Sequence, residues 1–579
     1  MTASKWRPFR EAMSRGAAGV RVVGMRIEIL SAVPRLVPNG LLALALPTLA
    51  LLAPSTGFAQ GPGWVGLSSV RSQYFENEDL LFYVPEAFDN FGAALATGDF
   101  NGDGADDLAT GIPYDNGQAG FEMNNVGLAI VRYGIPGFGL ETGLADTVLR
   151  DTEDVAPDDN FGFALAAGDF NGDGFDDLAV GEPGNHVLNY GKVHVFYGSP
   201  GGIPVLAGHR FWYPGGALEN CRFGSVLAAG DFNADSFDDL AAGMPQCMVW
   251  SNQGIFDDVG AVVVIEGNSG GLLPTQSPLN FHLINQDVAG IPDSPETGDQ
   301  FGFSLAVGNF NGDTQSIGNE VYDFDDLAIG APGEDGVGAV LIIYGSLWNV
   351  LPGGSVFLKE SNWGSLPELD DFFGWSLAAA DFDGNGADDL AIGSPYEDLG
   401  GRTDTGLVTV LYGQMFAGFN FGLNEWWSQA AIYGSGFAGD FDRFGHALSA
   451  LRFDPHWDAV GEPFGISTLV IGTPGMNTYQ GGFSVLRGTT AGLGPAHKSK
   501  LFGPDFGALP DIFQENQSFG AVFATGDFDG NGYEDLAIGH QQRAVGGIPG
   551  AGAELVLYSS TFGDGFEAEH FWDWSNWAP

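Results

Sequence analysis

A Phe-Gly pair recurs seven times along this chain and leaves few folds open to it. The pairs begin at residues 91, 161, 223, 301, 373, 444 and 519, so that successive pairs lie 62 to 78 residues apart. Self-similarity on this scale indicates one supersecondary unit per repeat, and a unit this small cannot bury a core alone. We therefore expect an array in which each repeat packs against its neighbours.

Each repeat contains the same succession of short apolar segments. Phe-Gly is followed by a strand that usually ends in Gly-Asp-Phe, by an Asp/Asn loop, by a second strand ending in Gly-x-Pro, by a third strand and by a variable fourth segment. The pattern shows no helical periodicity, and it predicts an all-β, seven-bladed β-propeller with four-stranded blades. A β-solenoid is disfavoured by the long repeat, and tandem sandwiches are disfavoured by the small size of each unit.

Closure of such a ring needs one further strand. Seven Phe-Gly units supply only six fourth segments between them, and residues 68–82 precede the first unit as the fourth segments precede the others. We expect this N-terminal segment to complete the last blade, so that no sheet edge is left open.

The combination of Phe-Gly, an Asp-rich loop and Gly-x-Pro resembles the FG-GAP repeat of integrin α-subunits and of many secreted bacterial proteins. The resemblance covers roughly residues 68–560. It implies a seven-bladed propeller with calcium in strand-connecting loops, and ligand contacts on the opposite face. Aromatic residues in the variable segments are then candidates for ligand contact, namely Trp212, Tyr213, Trp363, Trp426, Trp427 and Phe437.

The loop between the first two strands carries the pattern of a calcium site. Positions 1, 3, 5 and 9 offer side-chain oxygen, and position 7 offers its backbone carbonyl, which together suit Ca²⁺. Five units keep the pattern: Asp99, Asn101, Asp103, Ala105 and Asp107; Asp169, Asn171, Asp173, Phe175 and Asp177; Asp231, Asn233, Asp235, Phe237 and Asp239; Asp381, Asp383, Asn385, Ala387 and Asp389; Asp527, Asp529, Asn531, Tyr533 and Asp535.

Three units depart from the regular loop. Unit three replaces both loop glycines, with Ala234 and Ser236. Unit four keeps Asn309, Asn311, Asp313 and Asp326, but nine residues are inserted at 314–322, and calcium there is left open. Unit six has lost the spacing, and we expect it to be empty.

Other readings of these loops are weaker. An EF-hand needs flanking helices, and ordinary Asn/Asp/Gly turns do not explain one register in five units. About five calcium sites are expected, mainly structural. With about 1 mM Ca²⁺ and a Kd near 10⁻⁴ M, each adds about 1.4 kcal/mol.

Charge and the N-terminus bear on location and partners. The net charge of −52 disfavours nucleic acid as a partner. Residues 1–59 resemble a signal peptide, with an apolar run at 41–53 and cleavage after Ala59, although an uncleaved anchor is the alternative. We expect a monomer without a transmembrane anchor that is secreted, or else lies at the cell surface or in the periplasm. Its propeller spans 60–560 and is followed by a Trp-rich tail at 561–579.

The two cysteines are predicted to pair. Cys221 lies two residues before a Phe-Gly pair and Cys247 two residues after a Gly-x-Pro proline, so both fall at the open end of one hairpin. Export makes a disulfide compatible with the environment.

Catalytic signals are weak. Gly267-Asn-Ser-Gly-Gly271 matches a nucleophile elbow, but the same register in other repeats is an ordinary turn. The sequence therefore favours a non-catalytic recognition or scaffold module for an unknown extracellular protein or glycan. A secreted polysaccharide hydrolase or lyase on a calcium-stabilised propeller remains the alternative.

Overall fold

The computed structural model describes one short hairpin near the N-terminus and most of the chain from residue 66 to residue 560. The described residues are 21–23, 26–28, 66–76 and 86–560, apart from 117–123, 142–145, 153–154, 185–189, 206–209, 213–219, 252–253, 273–280, 318–319, 348, 351, 364–367, 453–464, 495–498 and 504–517. The chain divides into two compact units, Met1–Gly61 and Pro62–Pro579. In the first unit, Arg21–Val23 pairs with Arg26–Glu28. The predicted cleavage site and the Trp-rich tail lie outside the described residues.

The second unit contains seven antiparallel sheets of four strands in the order of a propeller blade, which confirms the predicted fold class. The strands of blades one to three are Ala94–Gly98, Asp107–Ile112, Leu128–Arg132 and Thr147–Leu149; Leu165–Gly168, Asp177–Glu182, Lys192–Phe196 and Arg210–Trp212; Val226–Gly230, Asp239–Met244, Ala261–Ile265 and Phe281–Ile284.

Blades four to seven repeat the arrangement. Their strands are Ser304–Gly308, Asp326–Ala331, Ala339–Ile343 and Val356–Leu358; Ser376–Ala380, Asp389–Ser394, Leu407–Leu411 and Asn424–Trp427; Leu448–Arg452, Ser467–Gly472, Phe483–Thr489 and Ser499–Phe502; Val522–Gly526, Asp535–Gly539, Ala553–Ser560 and, from the N-terminal side, Gly66–Glu76.

The ring is closed by its first strands and by the outer strand of blade seven. Each first strand packs beside the first strand of the next blade, and that of blade seven packs beside that of blade one. The outer strand of blade seven is Gly66–Glu76, which pairs antiparallel with Ala553–Ser560. It begins two residues before the predicted segment and ends at Glu76, and the rest of that segment, 77–82, lies outside the described residues.

Several short strands, helices and turns lie outside the four-stranded blades. Two-stranded ribbons join Gly134–Ile135 to Gly139–Leu140, Val249–Ser251 to Gly254–Phe256 and Thr314–Ile317 to Glu320–Asp323, and Gly492–Leu493 folds back on the third strand of blade six. The sequence pattern predicted no helix, but the described residues include two α-helices, Gln429–Tyr433 and Met476–Tyr479, and two 3₁₀ turns, Glu334–Gly336 and Glu360–Trp363. Helices of four or five residues are too short to show a hydrophobic period.

The recurring motif residues pack one blade against the next. The Phe of every Phe-Gly pair is buried, and the second strands are buried along their length. A Cβ added at Gly111, the glycine of the first Gly-x-Pro, would lie 2.0 Å from the carbonyl oxygen of Gly162 in blade two. The same clash would occur at all seven junctions, ending with Gly539 against Gly92 at 2.1 Å. The glycine of Gly-x-Pro and the glycine of Phe-Gly are therefore both required, because neighbouring blades approach each other closely at these two positions.

Within the described part of the chain, no helix has the length and hydropathy needed to span a bilayer.

Candidate metal centres

The first carboxylate of each regular loop organises the turn around itself. In blade one, Asp99 Oδ1 accepts hydrogen bonds from the backbone N–H groups of Gly102 at 2.7 Å and Asp103 at 3.0 Å, and Oδ2 accepts from Gly104 at 2.9 Å. Gly102 and Gly104 have φ of 73° and 88°, which permits this tight wrapping. Equivalent bonds surround Asp169, Asp381 and Asp527.

The last carboxylate of the loop is buried at the start of the second strand. Asp107 accepts from the N–H of Phe100 at 3.0 Å and from the N–H of Gly134 at 2.8 Å. Burial raises the pKa of Asp107 to about 8 and that of Asp389 to about 9, with nearby loop carboxylates adding to the effect. A cation beside these groups would stabilise their charged form. The residues present therefore fit a metal ion.

Carboxyl oxygens converge most closely in blades five and seven. One oxygen from each of Asp381, Asp383 and Asp389 lies within 4.8 Å of the others, and the same holds for Asp527, Asp529 and Asp535. Calcium binds oxygen at 2.3–2.6 Å, so two ligands of one ion lie at most about 5 Å apart. These two loops present oxygen atoms at the spacing that calcium requires.

Blades one and two present an amide at position 3 instead. Asn101 Nδ2 lies 3.4 Å from Asp107 Oδ1, and Asn171 Nδ2 lies 3.3 Å from Asp177 Oδ1. Because only the carbonyl oxygen of an amide binds a metal ion, ligation needs a half-turn of each amide group. In both loops the amide therefore presents its nitrogen, not its oxygen, to the last carboxylate.

The loop of blade three keeps its shape without glycine. Ala234 and Ser236 adopt φ of 56° and 74°, the left-handed conformation of the glycines that they replace. Asp231 still accepts from the N–H groups of Asp235 at 3.1 Å and Ser236 at 2.8 Å. The side-chain interactions of the loop therefore hold two residues in a conformation that is unfavourable for them.

The loop of blade four differs in its hydrogen bonds. The insertion forms the ribbon 314–323, and Asp326 keeps its register opposite Gly308. Asn309 donates to the carbonyl oxygen of Asp313 at 2.9 Å, and Asn311 donates to the carboxylate of Asp313 at 3.1 Å. The side-chain amides of Asn309 and Asn311 thus form hydrogen bonds with oxygen atoms of Asp313, the residue whose carboxylate a cation would contact. In blade six the predicted empty loop falls within 453–464, outside the described residues.

Sequence reasoning missed the role of position 8. The carboxylate of Asp176 in blade two accepts a hydrogen bond from the backbone N–H of Asp99 in blade one at 2.8 Å. The backbone N–H of Asp176 in turn donates a hydrogen bond to the carbonyl oxygen of Asp99 at 3.3 Å. The carboxylate bond recurs at Asp106, Asp238, Asp325, Asp388 and Glu534. Blade six has Ser467 there and keeps only the backbone bond to Asp381 at 2.7 Å. The doubled acidic residues of the loops, such as Asp106-Asp107, were the available signal.

The face opposite these loops carries the connections into each Phe-Gly pair. A groove of about 290 Å³ lies between blades six and seven and is lined by Arg443, Tyr479 and Gln542, among others. A second groove, of about 500 Å³, lies between blades two and three and is lined by Asn160, Arg222, Gln246, Asp257 and Asp258, among others.

The disulfide and the aromatic candidates are placed as follows. Cys221 and Cys247 form a buried disulfide at the open end of the first hairpin of blade three. Trp426 and Trp427 are the last two residues of the outer strand of blade five, where Trp427 pairs with Val408 and Trp426 is exposed. Phe437 packs 5.8 Å from Tyr433, while the side chains of Trp212, Tyr213 and Trp363 lie outside the described residues. Ser269 is exposed in a turn, as its repeat register predicted.

Comparison with known proteins identifies the same repeat. An FG-GAP repeat model matches residues 91–121, 161–196, 223–265 and 373–411, in blades one, two, three and five. Integrin alpha-5 of Xenopus laevis is 33% identical over 242 residues, covering 41% of this chain and 20% of that protein. Phosphatidylinositol-glycan-specific phospholipase D of Rattus norvegicus is 33% identical over 199 residues, covering 33% and 20%.

The chain spans about a fifth of the length of these two relatives. Among solved structures, the Dos1 propeller aligns with a TM-score of 0.36 and 13% identity over 79% of this chain and 92% of that one.

Proposed function

We propose that this chain, which carries FG-GAP repeats and is a homologue of integrin alpha chains, is a secreted, calcium-stabilised recognition or scaffold module without catalytic activity. Its partner is an extracellular protein or glycan. The buried disulfide supports an oxidising location.

Calcium would be held by the loops between the first and second strands. In blades five and seven the ligands are the three carboxylates of each cluster together with the position-5 amide and a backbone carbonyl, of Ala387 or Tyr533. The ion would neutralise carboxylates that burial leaves with raised pKa values, and each loop lies beside a junction between blades. Its contribution is therefore to the stability of the ring.

The observation that carries the recognition role is the pair of grooves on the opposite face. Both are lined by residues from two adjacent blades, and both combine charged, amide and aliphatic groups. Variation in loop residues on a rigid scaffold is a common basis for binding sites. The face is thus suited to bind a partner while the metal loops hold the ring together.

A catalytic role is the alternative, because one relative is named a phospholipase. Outside the metal loops, Glu360, Asp371 and Glu397 form one of three clusters of acidic or histidine side chains among the described residues, and all three of its members are buried. A polysaccharide or lipid substrate cannot reach carboxyl groups in such a position without opening the fold. The arrangement therefore favours binding.

The calcium part is tested by removing the ion and one ligand. We expect EGTA to lower the melting temperature, and Asp389→Asn to bind one Ca²⁺ fewer than the wild type by titration calorimetry. A melting temperature that is unchanged by EGTA at low ionic strength would contradict the structural role.

The recognition part is tested with glycan arrays and purified extracellular matrix proteins. Arg222→Asn introduces the residue that blades one and two carry at this position, Asn90 and Asn160, and should weaken binding at least tenfold. Phe138→Ser on the metal-loop face, where Phe138 is 77% exposed, is the matched control and should bind normally. Release of cleavage products, lost on substitution of one acidic residue outside the metal loops, would overturn the non-catalytic assignment.

A further inference from the structure

A second group of acidic residues in blade five lies far from its calcium loop. Glu360 comes from the turn that connects blades four and five, Asp371 lies two residues before Phe373, and Glu397 follows Pro395. One oxygen of each lies within 4.8 Å of the others. The second strand runs from Asp389 in the metal loop to Ser394 at this group, which separates the two places by roughly 16 Å.

The three side chains are buried, and two of their oxygens have no hydrogen-bond partner in the part of the chain that the structure describes. Glu360, Asp371 and Glu397 are 4%, 2% and 8% exposed. Asp371 accepts from the N–H of Glu368 at 2.7 Å and shares a hydrogen bond with Glu397, and Glu360 Oε1 accepts from Ser394 Oγ at 3.1 Å. Glu360 Oε2 and Glu397 Oε2 are buried and have no hydrogen bond to any described residue.

No basic side chain among the described residues forms an ion pair with any of the three acids. Burial of unpaired carboxyl oxygens is unfavourable, because each loses its contact with water and gains nothing in exchange. Burial accordingly raises the pKa of Glu360 to about 7 and that of Glu397 to about 9. A cation bound among the three carboxyl groups would displace their protons and stabilise the charged forms.

At the equivalent positions of two other blades, a basic side chain of the protein supplies positive charge. In blade four, Glu334 occupies the place of Glu397, and Lys359 Nζ lies 3.0 Å from its carboxylate. In blade one, Asp115 occupies that place, and Arg150 Nη1 lies 3.2 Å from it. Arg150 and Lys359 both directly follow the fourth strand of their blade, where blade five has the uncharged Ser428.

We propose that Glu360, Asp371 and Glu397 bind a hard divalent cation at a site separate from the calcium loops. Three carboxylates and a neighbouring hydroxyl form an all-oxygen donor set, which selects Ca²⁺, Mg²⁺ or Mn²⁺ over softer metals. The ion would join the connection from blade four to the first hairpin of blade five. In blade three, the disulfide between Cys221 and Cys247 joins the positions of Asp371 and Glu397.

The site is tested by counting bound Mn²⁺ on the full chain by equilibrium dialysis. Glu397→Gln keeps the size of the side chain and its hydrogen bond to Asp371, and it should bind one ion fewer than the wild type. Asp389→Asn, the matched control in the calcium loop of the same blade, should lose a different ion, so that the double variant loses two. An unchanged count in folded Glu397→Gln, with one ion lost in Asp389→Asn, overturns the proposal.

Terbium luminescence and anomalous diffraction test the proposed cation site independently of the ion count. Trp375 lies 5.4 Å from Tyr396 and 6.0 Å from Phe372, the neighbours of Glu397 and Asp371, so Tb³⁺ bound here should luminesce when tryptophan is excited. Glu360→Gln should reduce that emission if Glu397→Gln fails to fold. An anomalous Mn²⁺ peak among the three carboxylates supports the site, whereas peaks confined to the calcium loops exclude it.

Discussion

His540 is a buried histidine in blade seven whose ring nitrogens form no hydrogen bond within the described structure. Its ring packs 5.2 Å from that of Phe519, and it occupies the place that Met244 has in blade three. Burial, with a smaller effect of the Arg543 charge, lowers the pKa of His540 to about 3. The folded protein therefore disfavours the imidazolium form, while the unfolded chain accepts a proton near pH 6.5.

Replacement of this residue should change the stability of the protein in acid. Because the folded pKa lies below the unfolded value, the stability is complete above about pH 6.5 and is lost as the pH falls towards 3, by up to about 1.4 kcal/mol per pH unit. His540→Met should remove this loss and gain about 2.7 kcal/mol over the wild type at pH 4.5 relative to pH 7.5. Urea unfolding at both pH values with EGTA present measures it, and an identical pH dependence in the two proteins contradicts it.

Single residues were predictable where their chemistry repeats in register. The carboxylates that converge in the loops of blades five and seven could be picked out because Asp or Asn recurs at positions 1, 3 and 5 and Asp at position 9. The left-handed conformation of the residue before Phe-Gly was not predicted, although it occurs in all seven blades, at Asn90, Asn160, Arg222, Gln300, Phe372, Arg443 and Ser518. Two of the seven are Asn, which adopts this conformation readily, but the others are Arg, Gln, Phe and Ser, so the shared backbone left no single residue type at the position.

Neighbouring first hairpins are joined by the acidic residue at position 8 of the loop. Asp238 of blade three accepts the N–H of Asp169 of blade two at 2.8 Å, and burial raises the pKa of Asp238. Blade six replaces this residue with Ser467 and retains only the backbone bond. The carboxylate bond is therefore an addition to a junction that the backbone already forms.

Asp238→Ser should destabilise the protein by about 1 to 3 kcal/mol, the usual effect of leaving a partly buried N–H without its charged acceptor. The calcium count should stay the same, since position 8 is not a predicted ligand. Chemical unfolding and calcium titration measure the two quantities. Loss of a calcium ion would show that Asp238 is itself a ligand, and equal stability would show that solvent replaces the bond.

Elements were predictable to the extent that they repeat. The first three strands of each blade follow from apolar segments bounded by glycine and aspartate. The ribbon at 314–323 and the helix Gln429–Tyr433 occur once each, and the helix depends on Ser428 Oγ accepting the N–H of Ala431 at 3.2 Å. A single short element of this kind has no second copy against which its pattern can be recognised.

The whole ring depends on a contact between the two ends of the propeller sequence. Phe75 of the strand Gly66–Glu76 is buried, and the guanidinium of Arg132 lies 3.9 Å from the centre of its ring. Arg132 also forms a buried ion pair with Glu554 of the neighbouring strand, and Tyr558 donates a hydrogen bond to Gln73. Counting fourth segments indicated this arrangement, because a ring of repeats needs one strand from outside the last repeat.

Removal of the N-terminal strand should open the ring. A chain that starts at residue 77 leaves Ala553–Ser560 as an unpaired edge, and such edges associate with other chains. Compared with a chain that starts at residue 62, it should melt at a lower temperature and form dimers or larger species in light scattering. A peptide of residues 66–76 should restore the monomer and the melting temperature, whereas a scrambled peptide should not. A stable monomer without the strand would show that blade seven closes the ring with three strands alone.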